Sequence, residues 1–266
     1  MVARSAPAAC GCGGYGQRAV LRGLLAGGGA SLLGACGEDG LPVDLVSDAQ
    51  MEKLGLATWR QTRERFAPTG DAALQRAVER QAGGLLRAAG EDPAAWEVTV
   101  FAADDVNAFV VPGRRMGIFE GMVAATESRD QLAAVIGHEI GHHTADHAEE
   151  RLETALVART GVQIAETLLR AGDVAFADEL AAVMGLGAEY GVLLPYSRAH
   201  ELEADRRGMT TMAKVGYDPA AAIDLWRRMA ELGGERPPAF LSTHPSPARR
   251  IEVLEAHLDD ARAAAR

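Results

Sequence analysis

The pentapeptide His138-Glu139-Ile140-Gly141-His142 constrains this chain more than any other feature. On a helix, two histidines four residues apart project from one face and can grip a single metal ion. Glu139, next to the first histidine, then stands where it can act as a general base on a water at the metal, the arrangement of a metallopeptidase. The flanking residues predict the helix. Gln131 to Ile136 are mostly good helix formers, and Ser128 with Gln131 fits a capping box at its start. Leu132, Val135, Ile136 and Ile140 recur at helical spacing, so the motif sits inside a helix with a buried face. Gly141, between the histidines, leaves room for another backbone to pass close to the metal. Such ligands need orienting partners. His143 and His147 lie near enough, although a solvated position suits His143.

The first 35 residues differ from the rest. They carry Arg4, Arg18 and Arg22, no acidic residue, and a short apolar, glycine-rich run from Leu24 to Ala35. That run is too short for a stable membrane anchor and fits the core of a signal peptide. It ends in Leu33-Gly34-Ala35-Cys36, which resembles the lipobox of bacterial lipoproteins. The expectation is a signal peptide over 1–35, a lipidated Cys36, a linker over 36–47 and one metallopeptidase domain over 48–264. Membrane contact would be through the lipid. The implied location is the bacterial envelope, facing the periplasm, with the outer membrane favoured because Gly37 is not the aspartate that retains some lipoproteins in the inner membrane. Loss of the leader removes the three arginines and takes the net charge from -10 to -13. So acidic a chain argues against nucleic-acid binding. Cys10 and Cys12 leave with the leader, so stability would rest on core burial and metal rather than disulfides.

Along the chain, Ser47 or Asp48 starts a helical run to about Phe66, and Asp71 caps a second run through Ala89, weakened by Gly83-Gly84. Strands are predicted at Trp96–Phe101, Phe109–Val111 and Met116–Phe119, with Pro112-Gly113 as the turn. Residues 153–195 read as one or two helices with a glycine-rich loop near 185–187, too often interrupted by charge to span a membrane. Helix resumes from Ser197 to Val215 and restarts at Pro219; prolines at 237, 238, 245 and 247 mark a long loop before a final helix. The fold class is α+β, mainly helical, with a small β-sheet beside the metal helix.

A catalytic zinc takes three protein ligands and one open position. The downstream donor lies in Ser197-Arg198-Ala199-His200-Glu201-Leu202-Glu203-Ala204-Asp205. Glu201 and Asp205 share a helix face, so Glu201 can bind metal while Asp205 fixes an imidazole from behind; His200 competes, and Glu203 points elsewhere. The two motifs together resemble those of the zinc peptidase family that includes HtpX, BepA, LoiP and the Ste-type prenyl proteases. Asn107-Ala108-Phe109 before the metal helix, His147, Ser242-Thr243-His244-Pro245 and Arg250-Ile251 extend the similarity over about residues 48–260. Arg114-Arg115 stand where members often carry a glycine pair, which puts substrate preference in doubt. The absence of membrane helices and of a helical-repeat domain resembles the compact lipoprotein subtype.

The resemblance implies a zincin-like (gluzincin) fold holding one Zn2+ per chain, with His138, His142 and Glu201 as ligands, Glu139 as base, and Asp205 and His147 behind the ligands. His244 is implied to reach the zinc, as a fourth ligand that keeps the enzyme latent and swings aside, or as an oxyanion stabiliser. Arg250 is a further candidate for the oxyanion or for a structural role. Asn107, Ala108 and Phe109 would open a strand that pairs with an extended peptide. The expected activity is zinc-dependent endopeptidase cleavage of unfolded or misassembled envelope proteins. The alternative is a chaperone-like lipoprotein with a latent or structural zinc. No feature sets an oligomeric state.

Overall fold

The computed structural model describes residues 46–160, 196–232, 238–245 and 247–265, without the side chains of 155–160 and 247. The expected leader, Cys36, the linker up to residue 45 and the 185–187 loop lie outside these residues. All described residues belong to one compact unit, Gly40–Arg266.

Local chemistry sets the helix starts. In α1 (Asp48–Arg65), Ser47 and Gln50 close a capping box. In α2 (Ala72–Ala88), the Asp71 carboxylate accepts from the amides of Ala73 and Leu74 at 2.8 and 3.0 Å. Gly83 and Gly84 do not interrupt α2.

Strands β1 (Glu97–Phe101), β2 (Ala108–Val111) and β3 (Arg115–Phe119) form a mixed sheet in the order β1-β3-β2, parallel between β1 and β3 and antiparallel between β2 and β3. Alternation divides the side chains. Val100, Ala108, Val110, Met116 and Ile118 join the main core with α2 and the helices beyond it. Phe101, Phe109, Val111 and Phe119 face α1, around Trp59. Phe109 fits because Gly117 opposite it has no side chain: a Cβ there would lie 2.3 Å from the ring. Arg114 adopts φ 60°, a glycine-like conformation in the β2–β3 turn, and its Nε meets Glu91 at 3.2 Å.

A short α3 (Glu120–Ala125), absent from the sequence reading, leads into α4 (Arg129–Thr144), which carries the His-Glu-Ile-Gly-His motif. Ser128 Oγ accepts from the Gln131 amide at 3.1 Å, as expected. The reciprocal bond is displaced: the Gln131 side chain accepts from the Glu127 amide at 2.9 Å, one residue early. There follow α5 (His147–Thr160), α6 (Arg198–Lys214) capped by Ser197, α7 (Ala220–Leu232), a short α8 (Ala239–Thr243) within the proline-rich loop, and α9 (Pro247–Ala263). Among the described residues no helix is long and apolar enough to cross a membrane.

The pairing of α4 with α6 positions the site. A Cβ on Gly141 would lie 2.6 Å from the Ala204 carbonyl oxygen, and one on Gly208 would lie 2.9 Å from the Gly137 carbonyl carbon. The two backbones touch along this seam, as Gly141 led one to expect. A Gly141→Ala substitution should therefore force the helices apart and lower stability by about 1–3 kcal/mol, the range for overpacking. Gly84→Ala, where a Cβ meets nothing within 4 Å, should instead raise stability by about 0.5–1 kcal/mol. Thermal and urea unfolding of the two variants checks the contrast.

Candidate metal centre

The α4–α6 seam brings four buried side chains to one point: His138 and His142 from α4, Glu201 from α6, and His244 just after α8. One ligand atom from each lies within 4.8 Å of all the others. His138 Nε2 is 3.0 Å from His142 Nε2 and 3.1 Å from His244 Nδ1, and Glu201 Oε1 is 2.9 Å from His244 Nδ1. Burial first, then the neighbouring His138, pushes the His142 imidazolium well below its ordinary pKa. Burial likewise lowers His244 to about 4. Neutral imidazoles with inward-facing lone pairs, beside a carboxylate, repel one another unless a cation stands between them. This donor set fits a metal ion.

Three of the four ligand candidates, His138, Glu201 and His142, are held from outside. His138 Nδ1 donates to Asp205 Oδ1 at 2.9 Å, which also accepts from Trp226 Nε1 at 3.3 Å. Arg250, fully buried, grips Asp205 through Nε at 2.7 Å and Nη2 at 2.6 Å, pairs with Glu201 and lies over the Trp226 ring. Burial would raise the Glu201 and Asp205 carboxyls. Arg250, joined at Glu201 by His244, more than offsets this and keeps both below the usual range. His142 Nδ1 meets His147 Nδ1 at 2.9 Å, and His147, lowered to about 4 chiefly by burial, has Nε2 3.6 Å from Glu203.

Glu139 stands apart from that neutralisation. It is buried, and its Oε1 has no hydrogen-bond partner among the described residues, with His244 Nε2 3.6 Å away. Burial first, and Glu201 second, push its carboxyl well above the ordinary value. The Val110 amide lies near enough to work against that rise. The sheet register explains the direction of that amide. Phe119 N–H donates to the Asn107 carbonyl, so residues 107, 109 and 111 bond toward β3 while Ala108 and Val110 direct their backbone groups to the outer edge of β2.

The structure thus brings together His138, Glu139, His142, Glu201, Asp205, His147, His244 and Arg250. His200 is not in the cluster: it stacks on His147 and meets Glu150 at 3.1 Å. Glu203, half-exposed, pairs with Arg207. His143 is not simply solvated, since it packs edge-on against Trp96 at 4.7 Å. Phe109 is a core side chain, so its strand can meet a ligand only through backbone. Arg250 is occupied by Asp205 and Glu201, which suits a structural role.

Two residues escaped the sequence reading. Tyr196 stacks on His142 at 3.9 Å, and the Arg151 guanidinium lies 3.9 Å from the Tyr196 centroid. Burying an unpaired guanidinium costs several kcal/mol, more than the roughly 2 kcal/mol returned by a desolvated cation–π contact. Their only signals were positional: Tyr196 precedes the cap of α6, and Arg151 is one helical turn beyond His147.

Comparison with known proteins matches residues 68–258 to the model of peptidase family M48. The chain is 34% identical over 186 residues to the mitochondrial metalloendopeptidase OMA1 of Schizosaccharomyces pombe, covering 69% of this chain and 53% of that protein. It is 32% identical over 168 residues to the human mitochondrial metalloendopeptidase OMA1, covering 60% and 32%. It is 28% identical over 158 residues to the β-barrel assembly-enhancing protease of Escherichia coli, covering 56% and 31%. The chain therefore spans about half the length of the first relative and a third of the other two. These matches overturn the expected lipid-anchored, outer-membrane location in a bacterial envelope, because the mitochondrial relatives match at higher identity than the bacterial one. The physical reason is that an arginine-bearing, acid-free N-terminal stretch is common to secretory leaders and organellar presequences.

Replacing Arg250 with Gln should leave Asp205 and Glu201 buried without their counter-charge. We expect metal-free stability to fall by about 3–5 kcal/mol, with partial recovery on adding divalent metal, measured by urea unfolding.

Proposed function

Because the chain belongs to peptidase family M48, we propose that it is a zinc-dependent endopeptidase acting on unfolded or misassembled proteins. The observation that carries this reading is Glu139: a buried carboxyl held ready to take a proton, one residue from His138 and with an oxygen left free. Three imidazole nitrogens and one carboxylate oxygen suit zinc, with His138, His142 and Glu201 as its holders. When bound, the ion supplies Lewis-acid polarisation of a peptide carbonyl and acidifies water. Glu139 takes the proton of the attacking water and returns it to the leaving amine. Asp205 keeps the His138 imidazole in the tautomer that directs Nε2 inward, and His147 does the same for His142.

The outer edge of β2, at Ala108 and Val110, offers backbone groups on the side of Glu139. An extended peptide paired there would be held straight with little demand on its sequence, which suits unfolded substrates.

Glu139→Gln should retain zinc and lose about 10²–10⁴-fold in cleavage of an unfolded protein such as casein. Glu201→Gln should lose the zinc and Glu203→Gln should keep it. Metal analysis showing the reverse for that pair would refute the ligand assignment. The four-donor cluster also favours a second reading, a chaperone-like protein with a structural zinc, because four protein donors close a site. Glu139→Gln indistinguishable from wild type, with zinc bound and no cleavage by either, would decide for it.

His244 is the residue on which latency would turn. As a fourth donor it excludes water from the site; turned aside, it admits substrate. His244→Ala should then raise basal cleavage several-fold with zinc retained. A fall in turnover would assign it to the oxyanion instead, and unchanged kinetics would eliminate both roles.

A further inference from the structure

Arg151 has a chemistry that the zinc site does not use. It is 6% exposed, and its Nε and both Nη atoms have no hydrogen-bond partner among the described residues. Its guanidinium carbon lies 3.9 Å from the Tyr196 centroid, too close for an in-plane approach, so it sits over a face of the ring. The His142 imidazole stacks on Tyr196 at 3.9 Å with a 23° tilt. Two groups cannot share one face at those distances. Tyr196 is therefore sandwiched between the metal-side imidazole and the guanidinium.

None of its N–H groups meets a hydrogen-bond acceptor among the described residues, so the in-plane N–H fork is unspent. That fork matches a carboxylate in bidentate geometry. The chain carries 37 acidic side chains against 27 Lys and Arg. Even so, no carboxylate of the described residues hydrogen-bonds to this buried cation, and nearby Glu201 is already paired with Arg250. Lining up His147 and Arg151 one helical turn apart aims both at the His142 side of the site.

We propose that Arg151 is a carboxylate-binding subsite for the peptide being cleaved, taking either an acidic side chain or a free C-terminus. This rests on the peptidase reading above. Two 3.9 Å layers set the guanidinium about 8 Å from the His142 imidazole, and an extended chain advances roughly 3.3 Å per residue. The carboxylate then belongs to a residue about two or three positions from the scissile bond. The subsite gives a site whose β2 edge reads only backbone a preference for acidic sequence.

The test uses the full-length, zinc-loaded protein carrying Glu139→Gln, so that binding is measured without cleavage. Fluorescent peptides with Glu or Gln at each position, and with free or amidated C-termini, are titrated by anisotropy. A Glu at one position, or a free acid, should bind about tenfold tighter than its neutral counterpart, the effect of one charge-assisted pair. Adding Arg151→Gln should erase the difference, and Arg151→Lys should keep only part of it. The position scan against the amide pair tells an acidic side chain from a C-terminus. No acid preference with Arg151 intact, or a preference that survives Arg151→Gln, overturns the proposal. Should Arg151→Gln fail to fold, a full preference in Arg151→Lys overturns it equally, because a point charge lacks the fork. Cleavage by protein with Glu139 intact reports separately on the peptidase reading.

Discussion

The site depends on two helix backbones that touch. Glu201 and Asp205 reach His138 and His142 only because Gly137, Gly141, Ala204 and Gly208 leave α4 and α6 with no side chain larger than a methyl between them. Packed helices ordinarily lie 8–10 Å apart, with the spacing set by the side chains at the contact. Small residues bring the axes to the close end of that range. A carboxylate one turn along α6 then meets an imidazole on α4, and Asp205, one turn further, meets the back of the same ring. The rest of the fold packs around this seam: the sheet, α2, α7 and α9 all add side chains to the same core.

Close approach creates an electrostatic difficulty that the molecule resolves unevenly. Glu139, Glu201 and Asp205 are all buried, and Arg250 pairs with two of them. The imidazoles of His142, His147 and His244 are held neutral by burial and add no positive charge. Arg250 lies behind the ligands and satisfies the carboxylates whose job is to stay ionised. Glu139 is left without such a partner, and its raised pKa follows. A divalent cation at the convergence of the four donors would complete the balance, so metal binding and folding draw on the same groups.

Much of this was legible in the sequence because it is local. Ser47, Asp71, Ser128 and Ser197 each cap the helix they precede, since a cap is a bond across two or three residues. The i, i+4 spacings of His138 with His142 and of Glu201 with Asp205 needed only helical geometry. The strands showed through alternation, and Gly141 through its position between ligands. What stayed hidden is what the chain assembles at a distance. Trp96 against His143, Arg250 across Asp205 and Glu201, and Arg151 on Tyr196 have no periodicity to betray them. The short α3 and α8 are held by tertiary packing of Met122 and Phe240, too brief for a pattern. The N-terminal stretch misled because charge and apolarity alone do not name a destination.

The surroundings of His244 narrow how a gate there could move. Its own amide donates to the Phe240 carbonyl at 2.9 Å, and the preceding Thr243 carbonyl accepts from the Tyr196 amide at 3.0 Å. Lifting this backbone would break the bond at the head of α6 and pull on Tyr196, whose ring lies on His142. It would also disturb Phe240, which is fully buried and stacked on Trp226 beneath Arg250. Rotation of the His244 imidazole about its own side-chain bonds breaks none of these. The ring leaves its contacts with Glu201 and His138 while the loop stays where it is. A gate built this way would open without loosening the ligand helices, so His138, His142 and Glu201 would keep their places while the fourth position is freed.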